Sequence, residues 1–447
     1  MDKPVVESLR QKFKGKNVLV VGLGIQGGGV GLIEFFDDLG ANVTVTDLKN
    51  ENQLQKSVDE LEGKNVNFVL GKHDLKDFLS ADIIFKGPSV PWDLPELKEA
   101  EKKGIPIEME VSFFAEYCPA RIIGVTGTRG KSTTTYLIYE TLINSISNKK
   151  VFLGGNITGK STVKILKKAS KEDIVVLELS SWALSGMHRK KISPHIAVFT
   201  NLYADHLNYY NTIEEYLYDK KAIYLYQSNN DFLIANKSLE KEIIKDKPKS
   251  KLSLFTIRDF PSKLTYLKGK HNYENAAAVL LLSNLLGLNA EKTKKIIQEF
   301  KGLPFRQQEI KRIGDIIFIN DSTSTSPVAT VKAIDTFDDR PLALILGGNS
   351  KNLPFEDLIR SLNKVEKIIL LEGTFTSEIR DELNKKHLDK IVGEFKDLQE
   401  AVASAFTTVK KLGRSYILFS PGATSFAMFK NEFDRGEIFN EIVEKLQ

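Results

Sequence analysis

The chain has 447 residues, 42% hydrophobic and 27% charged, a length that predicts two to four domains with a core in each. Its small net charge of +5, its polar first residues (Met1 to Lys16) and its short apolar runs favour a cytoplasmic protein with no membrane and no nucleic-acid partner. The single cysteine, Cys118, excludes an internal disulfide framework and a thiolate metal cluster.

The first third of the chain has the pattern of a βαβ unit with a glycine-rich turn. Residues 16–21 predict a buried strand, and the glycines of the turn that follows are Gly22, Gly24 and Gly27, with Gln26 between the last two. A helical stretch and a second strand come next, and that strand ends in Asp47. The pattern is typical of dinucleotide binding, and a nicotinamide-dependent oxidoreductase is one interpretation. Because the same turn holds any diphosphate, a second nucleotide-like group is the broader prediction.

A second glycine-rich loop begins the central third. The segment is Gly124-Val125-Thr126-Gly127-Thr128-Arg129-Gly130-Lys131-Ser132-Thr133, preceded by a β-branched run and followed by an apolar-periodic helix. Backbone N–H groups and the helix N-terminus would face phosphates, Lys131 would add positive charge, and Ser132 would reach Mg²⁺. The glycine of the strict pattern is replaced by Val125, so this is a shorter variant of it. An ordinary glycine turn is the alternative, but strand, spacing and helix together favour a nucleoside-triphosphate site.

Polar side chains follow the next strands of the central third. Glu178 ends an apolar run where a Mg²⁺ ligand would be placed, although an ordinary paired carboxylate is the alternative. His206 follows another strand, and by position alone a ligand and a structural histidine are equally good interpretations. The helical stretch 213–227 contains Lys220 and Lys221. A lysine suits a cation site only if its charge is removed, for example by reaction of the neutral amine with CO₂ to give a carbamate.

Together these segments resemble the Mur ligases of peptidoglycan synthesis along essentially the whole chain, and among them the glutamate-adding branch. The segments that carry the resemblance are 124–133, Gly154-Gly155-Asn156-Ile157, Glu178-Leu179-Ser180-Ser181, 201–206, 271–275, 302–306, Asn320-Asp321-Ser322 and 420–425. The resemblance implies an α/β protein of three domains: a Rossmann-like UDP-sugar domain (1–109), a central P-loop ATPase-type parallel sheet (110–304) and a Rossmann-like amino-acid domain (305–447). Domain closure about hinges near residues 110 and 305 is expected. The substrates implied are ATP, UDP-N-acetylmuramoyl-L-alanine and glutamate, and a monomer is expected.

The resemblance also assigns roles to individual residues. Lys131, Lys220, Glu178 and His206 are the expected catalytic residues, and Ser132, Glu178, His206 and a carbamylated Lys220 (or, failing it, Lys221) are the expected Mg²⁺ ligands. The residues expected to contact ATP are Gly124, Thr126, Gly127, Thr128, Arg129, Gly130, Lys131, Ser132, Thr133, Asn275, Arg306 and Asp321. The UDP site is expected at Gly22, Gly24, Gln26, Gly27 and Asp47, and glutamate at Lys351, Thr325 and Ser425.

The last third predicts another α/β sheet, with candidate anion sites at two of its strand ends. These are the turn 347–351 and the turn 420–425, the second of which we expect to open a helix from Phe426. Four departures from the family pattern occur: Thr323 in place of a lysine, Phe305 of a histidine, Glu432 of an aromatic residue and Arg129 of an asparagine. The first three bear on the choice between D- and L-glutamate. Two further alternatives are a non-catalytic P-loop regulator and another member of the ligase class, such as a folylpolyglutamate-type ligase.

Overall fold

The chain contains three α/β sheets. The computed structural model describes residues 4–24, 28–157, 160–202, 212–267, 269–350, 353–425, 429 and 431–447. Two compact units are present: Met1–Ser262 with Lys270–Ile297, and Lys263–Gly269 with Gln298–Gln447. The first unit holds two sheets and the second unit holds the third. The predicted α/β class with separate parallel sheets is therefore confirmed.

The first sheet is parallel, with strand order β3-β2-β1-β4-β5. Its strands are β1 (Asn17–Val21), β2 (Asn42–Asp47), β3 (Val66–Leu70), β4 (Ile83–Lys86) and β5 (Ile107–Glu108). Its helices are α1 (Pro4–Phe13), α2 (Gly28–Asp38), α3 (Glu51–Asp59), α4 (Leu75–Ser80), α5 (Pro95–Lys102) and α6 (Glu110–Tyr117). Strand order reverses between β1 and β4, so the loops after these two strands flank the crevice where such sheets bind ligands.

The second sheet is also parallel, with order β11-β10-β9-β6-β8-β7. Its strands are β6 (Arg121–Thr126), β7 (Val151–Gly155), β8 (Ile174–Glu178), β9 (Ile196–Phe199), β10 (Phe232–Asn236) and β11 (Lys251–Phe255). The α-helices in this part of the chain are α7 (Lys131–Ser145), α8 (Ser181–Lys190), α9 (Ile213–Lys221), α10 (Glu240–Lys245), α11 (Lys270–Leu285) and α12 (Ala290–Glu299). Short 3₁₀ helices span Val163–Lys167, Lys237–Leu239 and Ile257–Asp259.

The third sheet has order β12-β13-β17-β14-β15-β16, and its edge strand β12 is antiparallel to β13. Its strands are β12 (Gln308–Ile313), β13 (Ile316–Asn320), β14 (Leu342–Gly347), β15 (Lys367–Leu371), β16 (Ile391–Phe395) and β17 (Ser415–Phe419). Its α-helices are α13 (Pro327–Thr336), α14 (Glu356–Ser361), α15 (Thr374–His387), α16 (Leu398–Lys410) and α17 (Glu432–Lys445), with 3₁₀ turns at Leu362–Lys364 and Leu388–Lys390.

The central strands are mostly apolar and buried because helices cover both faces of each sheet. All five residues of β8 and of β17 are buried. In the first unit, one continuous hydrophobic core contains residues from both sheets and their helices, among them Phe36 of α2, Phe85 of β4 and Leu177 of β8. The rings of Phe85 and Phe113 meet edge to face, with their centroids 5.3 Å apart. This shared core fixes the first sheet against the second.

Two helix predictions need correction. The stretch 213–227 is helical only to Lys221, because the chain then turns so that Tyr224 and Tyr226 can bond elsewhere. The helix expected to open at Phe426 lies in part outside the described residues, but Phe429 is not helical and α17 begins at Glu432, capped by the Asn431 side chain. Among the described residues, no helix is both long and apolar enough to span a membrane.

Candidate active site

The phosphate-type loop lies between β6 and α7, as the sequence predicts. Gly127 and Gly130 both adopt positive φ, 149° and 78°, and Gly130 is the N-cap of α7. A β-carbon on Gly127 would lie 1.9 Å from Thr200 Oγ1, so this position accepts only glycine. Gly124 and Thr126 lie within β6, and Ser132 and Thr133 lie in the first turn of α7. The loop therefore directs a helix N-terminus toward its own concave side.

Two residues outside the predicted set of site residues, Thr200 and Asn201, hold this loop; Asn201 begins the segment 201–206 that carries the family resemblance. The backbone N–H of Arg129 donates to Asn201 Oδ1 at 2.8 Å, and Asn201 Nδ2 donates to the carbonyl of Arg129 at 3.1 Å. Thr200 Oγ1 donates to the same carbonyl at 2.7 Å. Both residues directly follow β9, and a polar pair after a buried strand was the available signal. Arg129, a departure from the family pattern, is thus fixed through its backbone.

Two lysine side chains contact the loop. Lys131 Nζ donates to the carbonyls of Gly127 and Thr128, each at 3.1 Å. Lys220 is 1% exposed, and its Nζ lies 2.9 Å from the carbonyl oxygen of Gly127 and 4.6 Å from the ring centroid of Tyr216. Lys221 instead forms an ion pair with Asp246 at 2.8 Å. The structure therefore selects Lys220 over Lys221 as the lysine next to the loop.

Glu178 ends the strand beside the loop. It is opposite Val125 in the pairing of β8 with β6, and it is 4% exposed. The backbone N–H of Asn156 donates to the carbonyl of Glu178 at 2.8 Å, and Asn156 Nδ2 lies 3.5 Å from Glu178 Oε1. Gly155 adopts φ 87°, and a β-carbon there would lie 2.1 Å from the carbonyl oxygen of Glu178. The glycine-asparagine turn after β7 thus packs directly on this glutamate.

The donor set suits a hard cation in part. Glu178 and Ser132 offer oxygen atoms, and Mg²⁺ prefers oxygen ligands while it keeps water and phosphate oxygens. His206 lies outside the described residues, and the described residues contain no group of three or more His, Cys, Asp or Glu side chains arranged for a metal.

Asn275 reaches the loop from α11. A β-carbon on Gly130 would lie 2.3 Å from Asn275 Oδ1, and Asn275 Nδ2 donates to Asn272 Oδ1 at 3.0 Å. The absence of a side chain at Gly130 thus makes room for this amide. Arg306 and Asp321, which are also expected to contact ATP, belong to the second compact unit.

The first glycine turn is held by Asp47. Its Oδ2 accepts from the backbone N–H groups of Leu23 and Gly24, at 3.0 and 3.3 Å, and its Oδ1 accepts from Lys49 N at 2.9 Å. Gly22 and Gly24 adopt φ 94° and 70°. Gln26 and Gly27 lie outside the described residues. Asp47 therefore holds the turn, and its expected contact with UDP stays a prediction.

Two further glycines that the sequence analysis passed over are required for packing. A β-carbon on Gly29 would lie 2.3 Å from the carbonyl oxygen of Leu23. A β-carbon on Gly31 would lie 2.2 Å from Ser161 Cβ, in the second sheet's domain. The signal was the run of closely spaced glycines, but only the fold shows which neighbour each one meets.

In the second unit, three loops meet at the carboxyl ends of neighbouring strands. Gly422 N donates to the carbonyl of Ser324 at 2.9 Å, and Gly347 N donates to the carbonyl of Pro421 at 3.0 Å. Asn349 and Thr424 exchange backbone hydrogen bonds at 3.2 and 2.9 Å. The loops after β13, β14 and β17 therefore form one edge. Thr325 lies on it, and Lys351 falls outside the described residues.

Ser425 is the clearest candidate ligand contact on this edge. It is 3% exposed, and its hydroxyl has no hydrogen-bond partner among the described residues. An unsatisfied buried hydroxyl costs about 1–3 kcal/mol, so a ligand that bonds it gains that free energy. The helix N-terminus expected beside Ser425 is not observed in the described part, since α17 begins at Glu432.

Asp321 is buried beneath the same edge. Its Oδ2 accepts from the hydroxyls of Ser324 and Ser420, at 2.6 and 2.7 Å, and its Oδ1 accepts from Gln307 N at 3.1 Å. Burial raises the pKa of this carboxyl to about 6, against the lowering effect of the serine hydrogen bonds and of the Arg306 charge. All three of these hydrogen-bond donors, from Ser324, Ser420 and Gln307, are groups of the protein.

Two of the family departures, Thr323 and Phe305, contact each other in this unit. Thr323 Oγ1 donates to the carbonyl of Phe305 at 2.8 Å, and Phe305 adopts φ 60°. The ring of Phe305 packs so closely on Gly436 that a β-carbon there would lie 2.4 Å away, and it meets Phe433 edge to face. Thr323 thus fixes backbone where a lysine is common in the family.

Family models match two parts of the chain. Residues 16–108 match the Mur ligase MurD-like N-terminal domain, and residues 125–266 match the Mur ligase middle domain. The first match covers the sheet with the Gly22 turn and the second covers the phosphate-type loop, Glu178 and Lys220.

Individual relatives extend the similarity over the whole chain. The UDP-N-acetylmuramoylalanine--D-glutamate ligase of Roseiflexus sp. (strain RS-1) is 34% identical over 97% of this chain and 99% of its own length. The enzyme of the same name from Borreliella burgdorferi (strain ZS7) is 35% identical over 98% and 100%.

Solved structures agree on the fold. UDP-N-acetylmuramate-alanine ligase MurC from Thermotoga maritima superposes with a TM-score of 0.56 at 19% identity, covering 96% of this chain and 99% of that one. MurF ligase from Thermotoga maritima in complex with ADP superposes with a TM-score of 0.54 at 19% identity, covering 98% and 97%.

Proposed function

The chain belongs to the Mur ligase family, and we propose that it is the ATP-dependent ligase that adds D-glutamate to UDP-N-acetylmuramoyl-L-alanine. Relatives that carry this name match it over nearly their full length. The alternatives within the class are L-glutamate and another Mur-type amino acid as the added group.

The observation that carries the proposal is the convergence of two lysines on one phosphate-type loop beside a buried glutamate. Lys131 and Lys220 both contact the Gly127 carbonyl, and Glu178 ends the adjacent strand. The positive charge of Lys131 and the N–H groups of the loop would stabilise a phosphoryl group in transfer. Lys220 would contribute as a carbamate oxygen ligand and not through a positive charge. An oxidoreductase would have no use for this loop.

The proposed chemistry has two steps. The alanine carboxylate of the substrate attacks the γ-phosphorus of ATP, which gives an acyl phosphate and ADP. The amine of glutamate then attacks the acyl carbon, and the tetrahedral intermediate expels phosphate as the amide forms. Lys131 and the amides of Gly127 to Gly130 hold the transferring group, and Ser132 and Glu178, with His206, would hold Mg²⁺. That cation, when bound, offsets the negative charge of the phosphates.

We propose that Lys220 acts as a carbamate. A neutral lysine amine and CO₂ give a carbamate and a proton. The reaction replaces the positively charged ammonium group of the lysine by an oxygen ligand. The Lys220 side chain is buried against Tyr216 and next to the Gly127 carbonyl that follows β6. These contacts would hold a carbamate in one position. Carbon-13 NMR of the protein in ¹³CO₂ tests this, because the Lys220→Met variant should lack the carbamate resonance.

The two substrates would bind on separate sheets. The turn Gly22–Gly27 would hold the UDP diphosphate, with Asp47 keeping its amides in place. Glutamate would bind at Ser425, whose buried hydroxyl has no partner among the described residues, and at Thr325 and Lys351. Arg306, Asp321 and Asn275 would complete the ATP site.

The remaining elements of the proposal follow from this assignment. We assign residues 1–109 to the UDP-sugar domain, 110–304 to the ATPase domain and 305–447 to the amino-acid domain. A monomer in the cytoplasm, where nucleotide-linked precursors of the cell wall are made, completes it.

The test is a substrate-omission assay. Phosphate release from ATP should require both UDP-N-acetylmuramoyl-L-alanine and D-glutamate, and L-glutamate should not replace the D form. Release with L-glutamate alone would show that Thr323, Phe305 and Glu432 change the stereochemical choice. If neither D-glutamate nor L-glutamate supports phosphate release, glutamate is rejected as the substrate. Saturable binding of NADH would favour the oxidoreductase.

A further inference from the structure

Glu110 lies where the chain leaves the first sheet and starts α6. We infer that Glu110 is a positioning residue: it holds the segment 160–163, and through Thr162 it sets the position of Glu178 in the active site. The inference rests on the proposed function only in taking Glu178 as a cation ligand.

The first link joins Glu110 to the segment. Its Oε1 accepts from Ser161 Oγ at 2.7 Å and from the backbone N–H of Val163 at 3.1 Å. Burial raises the pKa of the Glu110 carboxyl, and the hydrogen bonds from the segment oppose that shift. Glu110 is buried, and its two hydrogen bonds hold the segment 160–163 in place.

The second link joins the segment to Glu178. Thr162 is 1% exposed, and its Oγ1 accepts from the backbone N–H of Gly155 at 2.9 Å. Gly155 and Asn156 form the turn that packs on Glu178, with Asn156 N donating to the Glu178 carbonyl at 2.8 Å. Displacing Thr162 would therefore release the turn that confines the glutamate.

Helix α2, which follows the first strand, contacts the same segment. Helix α2 meets Ser161 at Gly31, where a β-carbon would lie 2.2 Å from Ser161 Cβ. Lys164 forms an ion pair with Glu34 of α2, but both side chains are partly exposed, and such pairs contribute about 0–1 kcal/mol. The close packing at Gly31 and the hydrogen bonds of Glu110 thus fix the segment, and they link the UDP-sugar sheet to the cation ligand.

The chain offers a matched control in Glu108. It is 7% exposed and stands two residues earlier at the same junction. It accepts from Ser112 Oγ at 3.0 Å and pairs with Lys190 at 2.6 Å. These partners lie on α6 and α8, whereas the hydrogen bonds that Gly155 and Asn156 of the turn donate among the described residues go to Thr162 and Glu178. A loss of packing at the junction should therefore affect both glutamates, whereas an effect on the cation should follow only Glu110.

The experiment measures Mn²⁺ binding to the full chain in the presence of a non-hydrolysable ATP analogue, by electron paramagnetic resonance of the free ion. Glu110→Leu and Thr162→Val should each raise the Kd for Mn²⁺ about tenfold, the scale of lost outer-sphere support. Glu110→Gln should stay within about threefold of the wild type, because its amide oxygen accepts the same bonds. Glu108→Leu should lower the melting temperature without changing the Kd.

The double variant of Glu110→Leu with Thr162→Val should be no weaker than either single variant, since both act through one path. An unchanged Kd in Thr162→Val, an isosteric change, overturns the inference even if Glu110→Leu fails to fold. An equal rise in Glu108→Leu, or no nucleotide-dependent Mn²⁺ binding in the wild type, also overturns it. No glutamate substrate is present, so Mn²⁺ binding does not depend on the proposed reaction, and failure of that reaction would show separately in the substrate-omission assay.

Discussion

Replacing Asp321 by asparagine should remove a pH-dependent cost of folding in the second unit. The carboxyl is 1% exposed, and burial raises its pKa from 3.8 to about 6. A raised pKa means that the folded state binds the proton more tightly than the unfolded state. The stability from this group is therefore complete below about pH 4 and falls as the pH rises through 6.

The size of the effect follows from the shift. A difference of roughly two pKa units corresponds to about 3 kcal/mol between the two extremes of pH. Between pH 5 and pH 8 the wild type should lose about 1.4 kcal/mol from this group, half of the total, because part of the titration lies below pH 5. Asp321→Asn should lack that loss, since the hydroxyls of Ser324 and Ser420 can rotate to accept from an amide.

Hydrogen exchange of peptides from β13 and β17 measures this directly, because both strands lie beside Asp321. The difference in opening free energy, Asp321→Asn minus wild type, should rise by about 1.4 kcal/mol from pH 5 to pH 8. Ser324→Ala removes a hydrogen bond that lowers the pKa, so it should move the wild-type transition to higher pH. A difference that stays constant across this range would refute the reasoning.

Three other changes test the first unit. Lys131→Ala should reduce ATP turnover about 100-fold or more with unchanged circular dichroism, because the loop loses a positive charge; normal turnover would contradict the site. Asn201→Ala should raise the KM for ATP about tenfold, since the Arg129 N–H loses its acceptor, and an unchanged KM would exclude this role. Gly31→Ala should cost about 1–3 kcal/mol in urea unfolding of the wild type and much less in a Ser161→Gly background, where the new β-carbon meets no Ser161 side chain; an equal cost in both backgrounds would place the clash elsewhere.

The sequence was sufficient to predict the position of a functional residue where that position is set by the neighbouring residues in the chain. The loop from Gly127 to Lys131 carries its own strand, glycines and helix, so its position could be predicted. The same holds for Glu178, which ends a continuous buried strand. The family pattern preferred Lys220 to Lys221, and the structure shows why: the helical turn directs one side chain to the loop and the other to Asp246.

The sequence was insufficient where a role depends on a distant neighbour. The carboxylate of Asp47 also accepts from the backbone N–H groups of Leu23 and Gly24, a role that its spacing after the glycine turn does not predict. Gly31 and Glu110 matter because both meet Ser161, a residue far along the chain. The local periodicity of the sequence cannot predict such a contact, because the contact forms only when distant segments of the chain pack together.

The assignment as a D-glutamate-adding ligase is tested most directly by isotope transfer. UDP-N-acetylmuramoyl-L-alanine labelled with ¹⁸O in both carboxylate oxygens is incubated with ATP and either D- or L-glutamate, and product and phosphate are analysed by mass spectrometry. We predict an amide product with D-glutamate only, and one ¹⁸O atom in each phosphate released, because the attacking carboxylate oxygen leaves with the phosphoryl group. Unlabelled phosphate, or ADP formed without the D-glutamyl product, would contradict the account.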